Sequence, residues 1–168
     1  MSYSISDFAS DMNSVGVLKP THYTVDINSP VFTKNDIYAD SVTIPGRSIA
    51  TQERRTFGPQ REMPYERLFA GDLDITFVFS QGDLIRTQIE KWMDIVIPDT
   101  NIINREWNDY VGTITISVDY PSNNSPAWTV EIMDAYPKTV SPVQLGYGMQ
   151  NDYLKQSVSF AFRDYKIV

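Results

Sequence analysis

The sequence predicts a mainly β domain of antiparallel strands with one amphipathic helix. Three observations carry this. Apolar and polar residues alternate in six separate runs, and one stretch between them switches to helical spacing. A cluster of turn residues, Pro121-Ser-Asn-Asn-Ser-Pro126, joins two of the alternating runs as a hairpin loop would. At 168 residues the chain fits a single domain, and it is long enough to bury a core without disulfides or metal.

The runs appear in order along the chain. Residues 1–20 read as an N-terminal extension, with a weak helical stretch from Ser4 to Met12. Tyr23, Val25 and Ile27 form the first apolar face, and Val42 with Ile44 the second. Leu73, Ile75, Phe77 and Phe79 alternate with Asp74, Thr76 and Val78, giving one strongly apolar face. Ile114, Ile116, Val118 and Tyr120 repeat the pattern against Thr113, Thr115, Ser117 and Asp119. Trp128, Val130 and Ile132 follow, and then Val158, Phe160 and Phe162. On this alternation Trp128 is expected in the core.

From Asp83 to Ile97 the period changes. Ile85, Ile89, Trp92, Met93 and Val96 fall at helical spacing, while Arg86, Glu90 and Lys91 occupy the polar face. Asp83, after Gly82, is placed to cap the amino end, and Pro98 stops the helix. A lone helix with one apolar stripe is expected to lie across the open face of a sheet.

The stretch from Pro45 to Gly71 has no core periodicity. It opens on the turn pair Pro45-Gly46 and holds Arg47, Arg54, Arg55, Arg61 and Arg67. It is too long for an ordinary connection, so it is either functional or disordered. Ile49, Phe57, Met63, Tyr65, Leu68 and Phe69 are interleaved with the arginines, and disordered tracts are poor in such residues. An extended arm that orders against another surface fits best. Mixed arginine and aromatic character is enriched at interface cores. A basic arm on an acidic body also supplies its own complement, so copies of the chain attract one another arm to body.

Composition narrows the chemistry. Fourteen basic against 21 acidic residues give a formal net charge of −7, which argues against a general nucleic-acid binder. The chain has no cysteine and one histidine, which excludes thiolate chemistry, Cys-ligated zinc and a His-His metal pair within one chain. No basic start followed by an unbroken apolar stretch marks a secretory signal, and no apolar run is long enough for a membrane span. Folding in a cytoplasm is expected.

Candidate catalytic groups have bland readings that fit better. The carboxylate pairs Asp72 with Asp74, Asp94 with Asp99, and Glu131 with Asp134 would suit glycoside hydrolysis, yet their spacing is that of solvated faces. Gly71-Asp-Leu-Asp lacks the regular ligands of a calcium loop. His22 has no G-x-S-x-G partner, Gly146-Tyr-Gly148 is too short to cradle phosphate, and no P-loop is present. The sequon Asn123-Asn-Ser125 has no meaning without secretion. Trp107, in the polar context Arg105-Glu-Trp-Asn-Asp109, reads as a surface anchor for a protein or a sugar.

Taken in order, these residues resemble a family. Ile44-Pro45-Gly46 leads into the arginine-bearing arm, then come Pro64-Tyr65, Gly71-Asp-Leu-Asp-Ile-Thr-Phe77, and Glu90-Lys-Trp-Met-Asp94 on the helix. Asp134-Ala-Tyr-Pro-Lys-Thr-Val-Ser-Pro142 and Leu154-Lys-Gln-Ser-Val-Ser-Phe-Ala-Phe-Arg163 close the pattern. Over residues 20–168 the chain resembles the tail tube proteins of T-even-like contractile bacteriophages and the related baseplate proteins that start the tube. The resemblance implies an antiparallel β-barrel or sandwich, one flanking helix at about 83–97, and a long hairpin arm at about 45–70. It implies no enzyme activity and no cofactor or metal.

The partners it implies are further copies of the chain in hexameric rings that stack into a tube, baseplate hub proteins, the tail sheath, and DNA passing through the lumen without specific binding. The inter-subunit surface would then map onto Arg47, Ile49, Arg54, Arg55, Phe57, Arg61, Tyr65 and Arg67 of the arm. Two physical points agree. Closing sheet edges against copies in a ring removes an aggregation hazard, and an acidic bore repels DNA from its wall. Two other readings stay open: a tube initiator of the same fold, and a glycan-binding or glycan-degrading tail component anchored on Trp107.

Overall fold

A computed structural model describes residues 4–6, 9–10, 12, 18–34, 37–55, 58–80, 85–98, 105–121, 125–147 and 153–168. Ten strands occupy them: β1 (Tyr23–Asn28), β2 (Thr33–Lys34), β3 (Ala39–Thr43), β4 (Gly46–Arg54), β5 (Arg61–Ala70), β6 (Leu73–Val78), β7 (Gly112–Asp119), β8 (Pro126–Val140), β9 (Lys155–Ala161) and β10 (Asp164–Ile167). Helix α1 is Ile85–Val96, and α2 is a single turn, Trp107–Tyr110. Near the start, Ile5, Ser6, Ala9, Ser10 and Met12 are helical, as the weak pattern there predicts.

Eight strands form one antiparallel sheet in the order β2-β1-β7-β8-β9-β6-β3, with β10 also paired to β8. The sheet curls on itself. Near its two ends the Ile37 N–H donates to the Val25 carbonyl at 3.0 Å, and the Tyr23 hydroxyl donates to the Ala39 carbonyl at 2.7 Å. The fold is therefore the expected antiparallel barrel, made of two half-sheets that share the 15-residue β8.

β8 changes partners along its length because it is bent. Its first half pairs with β7 and β10, and its second half with β9. The bend lies at Asp134, which holds φ at 55° beside a bulge in the β7–β8 ladder. Before the bulge Val130 and Ile132 point inward, and after it Ala135 and Pro137 do. One extra residue thus shifts the inward set from even to odd positions, which turns the strand from one half-sheet to the other.

The alternating faces meet inside. Val25, Ile27, Leu73, Ile75, Phe77, Ile114, Ile116, Val130, Ile132, Val158 and Phe160 are fully buried or nearly so. Helix α1 closes this layer through Ile85, Ile89 and Trp92, one apolar stripe as the spacing predicts. The Trp92 ring packs beside Phe160 and Phe32, with centroids 6.0 and 6.1 Å apart. Its indole N–H donates to the Tyr110 carbonyl at 2.6 Å. The Arg86–Glu90 ion pair, 2.8 Å, runs along the outer face of the helix.

Two expectations need correction or placement, and one element is additional. Trp128 is not core but 37% exposed. It sits opposite Val118 near the end of the β7–β8 ribbon, past the last buried cross-strand pair, Ile116 with Val130. Alternation fixes the face on which a residue lies but not whether the opposing layer extends that far. The described helix begins at Ile85, and the expected cap Asp83 lies outside the described residues. The single-turn α2 has no counterpart in the sequence reading, because four residues are too few to show a period.

Candidate functional site

The arginine-rich stretch forms a hairpin of its own. Strands β4 and β5 make a separate two-stranded sheet with nine cross-strand pairs, from Gly46 opposite Ala70 to Arg54 opposite Arg61. Nine pairs span about 30 Å at the usual rise. Nearly every residue on it is exposed. Gly71, at φ 89°, makes the sharp return from β5 into β6, a backbone conformation that glycine adopts without penalty.

The base of the hairpin is tied to the barrel. Phe69 packs edge-on against Phe162, centroids 5.3 Å apart, and against Tyr165 at 5.5 Å. Arg47, opposite Phe69 on the other strand, donates from Nη2 to the Tyr165 carbonyl at 2.7 Å and stands 3.6 Å from the Asp164 carboxylate. Its guanidinium also lies over the Tyr165 ring, 4.4 Å from the centroid. Such stacking is a property of the planar guanidinium that lysine does not reproduce.

Beyond the base the arm turns its apolar residues outward. Ile49 is 62% exposed and Tyr65 is 68% exposed, with Met63 and Leu68 also open. The register places Ile49 opposite Arg67, while a bulge between Ala50 and Thr51 in that ladder sets Tyr65 as the extra residue on β5. Arg54 and Arg61 face each other at the far end, and Arg55 follows, exposed, just past β4. The structure therefore gathers Ile49, Arg54, Arg55, Arg61, Tyr65 and Arg67 on one projecting element and puts Arg47 at its root. Phe57 lies outside the described residues.

The other candidates are placed elsewhere. Asp72 is held by Lys138 at 2.7 Å, and Asp134 by Arg163 at 2.6 Å. Asp74 accepts from the Ser159 hydroxyl at 2.5 Å. Glu131 stands opposite Thr115 on one side and Lys166 on the other, within a row of strand partners. Asp94 is exposed on α1, and Asp99 lies outside the described residues. His22 contacts the Thr21 hydroxyl at 3.2 Å, and its carbonyl accepts from the Asp119 N–H at 2.9 Å. Trp107 is 43% exposed and packs edge-on with Tyr110 and Tyr136. Among the described residues no group of three or more His, Asp or Glu gathers as metal ligands would, and no helix is long and apolar enough to cross a membrane.

Two ion pairs at bulges were not foreseen. Asp40 is the extra residue of a bulge on β3. Its carboxylate accepts from Lys155 Nζ at 2.9 Å and from the Tyr153 hydroxyl at 3.1 Å. Those hydrogen bonds, Lys155 first, hold the Asp40 carboxyl below its ordinary range and lift Lys155 above its own. Lys138 is the extra residue of a bulge on β8, and its bond to Asp72 raises it likewise. A charged residue breaking the polar–apolar alternation is the only trace such bulges leave in the sequence.

Fold and arm together define a class, the antiparallel β-barrel domains with a projecting two-stranded arm. Sequence comparison then gives the family: the chain matches the phage tail tube protein profile over residues 9–168 and belongs to that family, whose members are structural components of the tail. Its fold is similar to a chain in the sheath–tube complex of PVC, an extracellular contractile injection system, in the extended state. That chain is 16% identical, with 99% of each chain covered and a TM-score of 0.70. It is also similar to a chain of the anti-feeding prophage baseplate, at 11% identity over 91% of this chain and 97% of that one, TM-score 0.68. An Hcp protein shares the fold more loosely, at 8% identity over 85% of this chain and 90% of that one, TM-score 0.50. No curated protein sequence matches the chain.

Proposed function

We propose that six copies of this chain close into a ring, that rings stack into the inner tube of a contractile tail, and that DNA passes through the bore. The observation that carries this reading is the hairpin β4–β5. Among the described residues it forms no ladder with the barrel, and it exposes Ile49, Met63, Tyr65 and Leu68 along its length. Exposed aliphatic and aromatic residues on a projecting hairpin, interspersed with arginine, have the composition of an interface core awaiting a partner. Ile49, Arg54, Arg55, Phe57, Arg61, Tyr65 and Arg67 make that contact, and Arg47 fixes the angle from which the arm leaves the barrel.

The outer face of the barrel supports the conduit. It is paved with hydroxyls that pair across strands, Thr76 with Ser157 at 2.9 Å and Ser117 with Thr129 at 3.2 Å. Asp26, Asp74, Asp119 and Glu131 sit among them on the strand faces that point away from the core. Lys166 stands opposite Glu131 on this face, but hydroxyls and carboxylates outnumber it and give phosphates no cationic hold, so a wall of this kind lets DNA slide. No bond is made or broken in this role. The protein works as part of the virion after assembly in the host cytoplasm, meeting the baseplate hub at one end of the tube and the sheath around it.

Electron microscopy of the purified chain across a concentration series, with mass from light scattering, tests this reading. Long hollow tubes of six-fold symmetry are expected. Six-fold rings that never elongate would reassign the chain to tube initiation. A monomer that stays monomeric when offered a preassembled baseplate would overturn both readings.

A further inference from the structure

The end of the arm carries its charges in an order that disfavours the isolated hairpin. Glu53 stands directly opposite Glu62, and Arg54 directly opposite Arg61. Directly opposed residues in an antiparallel pair share one face with Cα atoms about 4.5–5.5 Å apart, and like charges there repel. Neighbours along a strand point to opposite faces. The two glutamates therefore lie on one face of the arm and the two arginines on the other. Glu53 takes a hydrogen bond from the Gln60 amide, and Glu62 one from the Thr51 hydroxyl at 3.4 Å, neither of which brings a positive charge. Among the described residues neither Arg54 nor Arg61 has an acidic partner within ion-pair distance.

An arm built only to stabilise itself would pair glutamate with arginine across the strands. At the tip the signs are separated by face instead, and behind the bulge the order inverts: Arg67, opposite Ile49, lies on the glutamate face and Glu66, opposite Ala50, on the arginine face. The ends of the two faces thus carry opposite charge at matched cross-strand spacing, offset by a single residue, and Arg67 and Glu66 match each other in the same way further in. Each face also carries apolar contact area. Ile49 shares the glutamate face, while Met63 and Leu68 share the arginine face. A surface with these two sides is complementary to a copy of itself.

We propose that the arm ends of neighbouring copies stack on one another, the glutamate face of each arm lying on the arginine face of the next. The partner is a second copy of this chain, and charge complementarity between the two faces identifies it. Stacked sheets lie about 10 Å apart, a gap that arginine side chains bridge to carboxylates. The contact is head-to-tail, so it propagates, and it closes when the rotation between copies divides the circle. This inference rests on the ring reading above and deepens it by naming what the arm touches: another arm, not the body of a neighbour.

Three full-length variants separate the possibilities. Glu53→Arg with Glu62→Arg makes both faces basic, and Arg54→Glu with Arg61→Glu makes both acidic. Each alone is expected to raise the concentration needed for assembly at least about tenfold, because every contact becomes like-on-like. Mixed in equal amounts the two are expected to co-assemble, since basic and acidic arms alternate and an even-numbered ring closes with three of each. The third variant combines all four substitutions and exchanges the faces. Its arms remain complementary to one another, so it is expected to assemble alone within about threefold of the wild-type concentration.

If the arm docked on the body of a neighbour, neither the mixture nor the four-fold variant would recover. That result, with unchanged circular dichroism and melting temperature, would overturn arm-on-arm stacking while leaving the ring intact. Should the wild-type chain form no rings at all, the ring reading fails by itself. Native mass spectrometry of the mixed pair then decides the arm contact independently. One-to-one heterodimers support stacking, and their absence overturns it.

Discussion

The Arg47 guanidinium lies over the Tyr165 ring, 4.4 Å from its centroid, while donating to the carbonyl of the same residue at 2.7 Å. One side chain near the start of β4 is thereby fixed to β10, a strand 118 positions further on. Phe69 and Phe162 fill the space beside it, so the root of the arm is a small aromatic cluster with a cation laid across it.

Arg47→Ala is expected to loosen this root before it unfolds the barrel. The lost contacts amount to about 1–2 kcal/mol for a part-exposed cation–π and charged hydrogen-bond site. Amide exchange should accelerate on Gly46–Ser48 and Leu68–Ala70 and stay unchanged in β6 and β9. Arg47→Lys keeps the charge but loses the stack, and should recover less than half of the protection.

Asp40 and Lys155 make stability depend on pH at both extremes. The bond from Lys155 lowers the Asp40 carboxyl, so its contribution is complete above the ordinary carboxylate range, near pH 4, and is lost as pH falls through the depressed folded value. Lys155 is raised, so its contribution is complete below about pH 10.4 and is lost as pH climbs through the elevated folded value. Both groups are solvent-exposed, which makes the effect small and sensitive to salt. Urea midpoints measured from pH 2 to 7 in the wild type and in Asp40→Asn should differ most at neutral pH and converge in acid.

Asp134 holds φ at 55°, where an L side chain other than Asn or Asp is strained, and its carboxylate meets Arg163 at 2.6 Å. Asp134→Ala loses the ion pair and keeps the strain, whereas Asp134→Gly loses the ion pair and releases the strain. Alanine should therefore be the more destabilising by about 1 kcal/mol in chemical denaturation. Equal losses would mean that the bend is imposed by the ladders on either side.

These residues also show where sequence reading stopped. Alternation at Leu73–Phe77, Ile114–Ile116 and Val158–Phe160 identifies the core faces because each inward position there is buried by the opposing half-sheet. The helix is equally legible, since Ile85, Ile89 and Trp92 are separated by whole turns. Asp134 is not, because a bulge is one residue long and leaves no period behind it. Nor is the partner of Arg47 legible, because a contact over such a separation is fixed by how the strands order in the barrel. The arm was visible as a composition, but its division into a glutamate face and an arginine face required the register.

Gly112 is a second position that no pattern marks. A Cβ there would stand 2.5 Å from the Asn28 carbonyl oxygen and 3.0 Å from the Trp92 ring. Backbone of β1 and the buried indole both have to move to admit it. Gly112→Ala is expected to cost about 1–3 kcal/mol, the usual price of overpacking, and to weaken the Trp92–Tyr110 hydrogen bond. Tryptophan fluorescence shifted to the red alongside the lower melting point would register that displacement, and an unchanged spectrum would show that β1 alone gives way.

Ile49 and Tyr65 test whether the apolar part of the arm serves assembly or the monomer. Both are more than half exposed, at 62% and 68%, so within one chain they bury little area and contribute little by hydrophobic transfer. Threonine keeps strand propensity while removing most of the apolar surface. Ile49→Thr with Tyr65→Thr should therefore leave monomer stability within about 0.5 kcal/mol, as surface changes usually do. If a neighbouring copy covers both side chains, each truncation removes on the order of 1 kcal/mol of contact, and the concentration needed for tubes rises at least about tenfold. Sedimentation of the assembled fraction against total concentration reads this directly. An unaltered threshold would mean that the charged end of the arm carries assembly without its apolar flank, whereas a lowered monomer melting temperature would return Ile49 and Tyr65 to the fold.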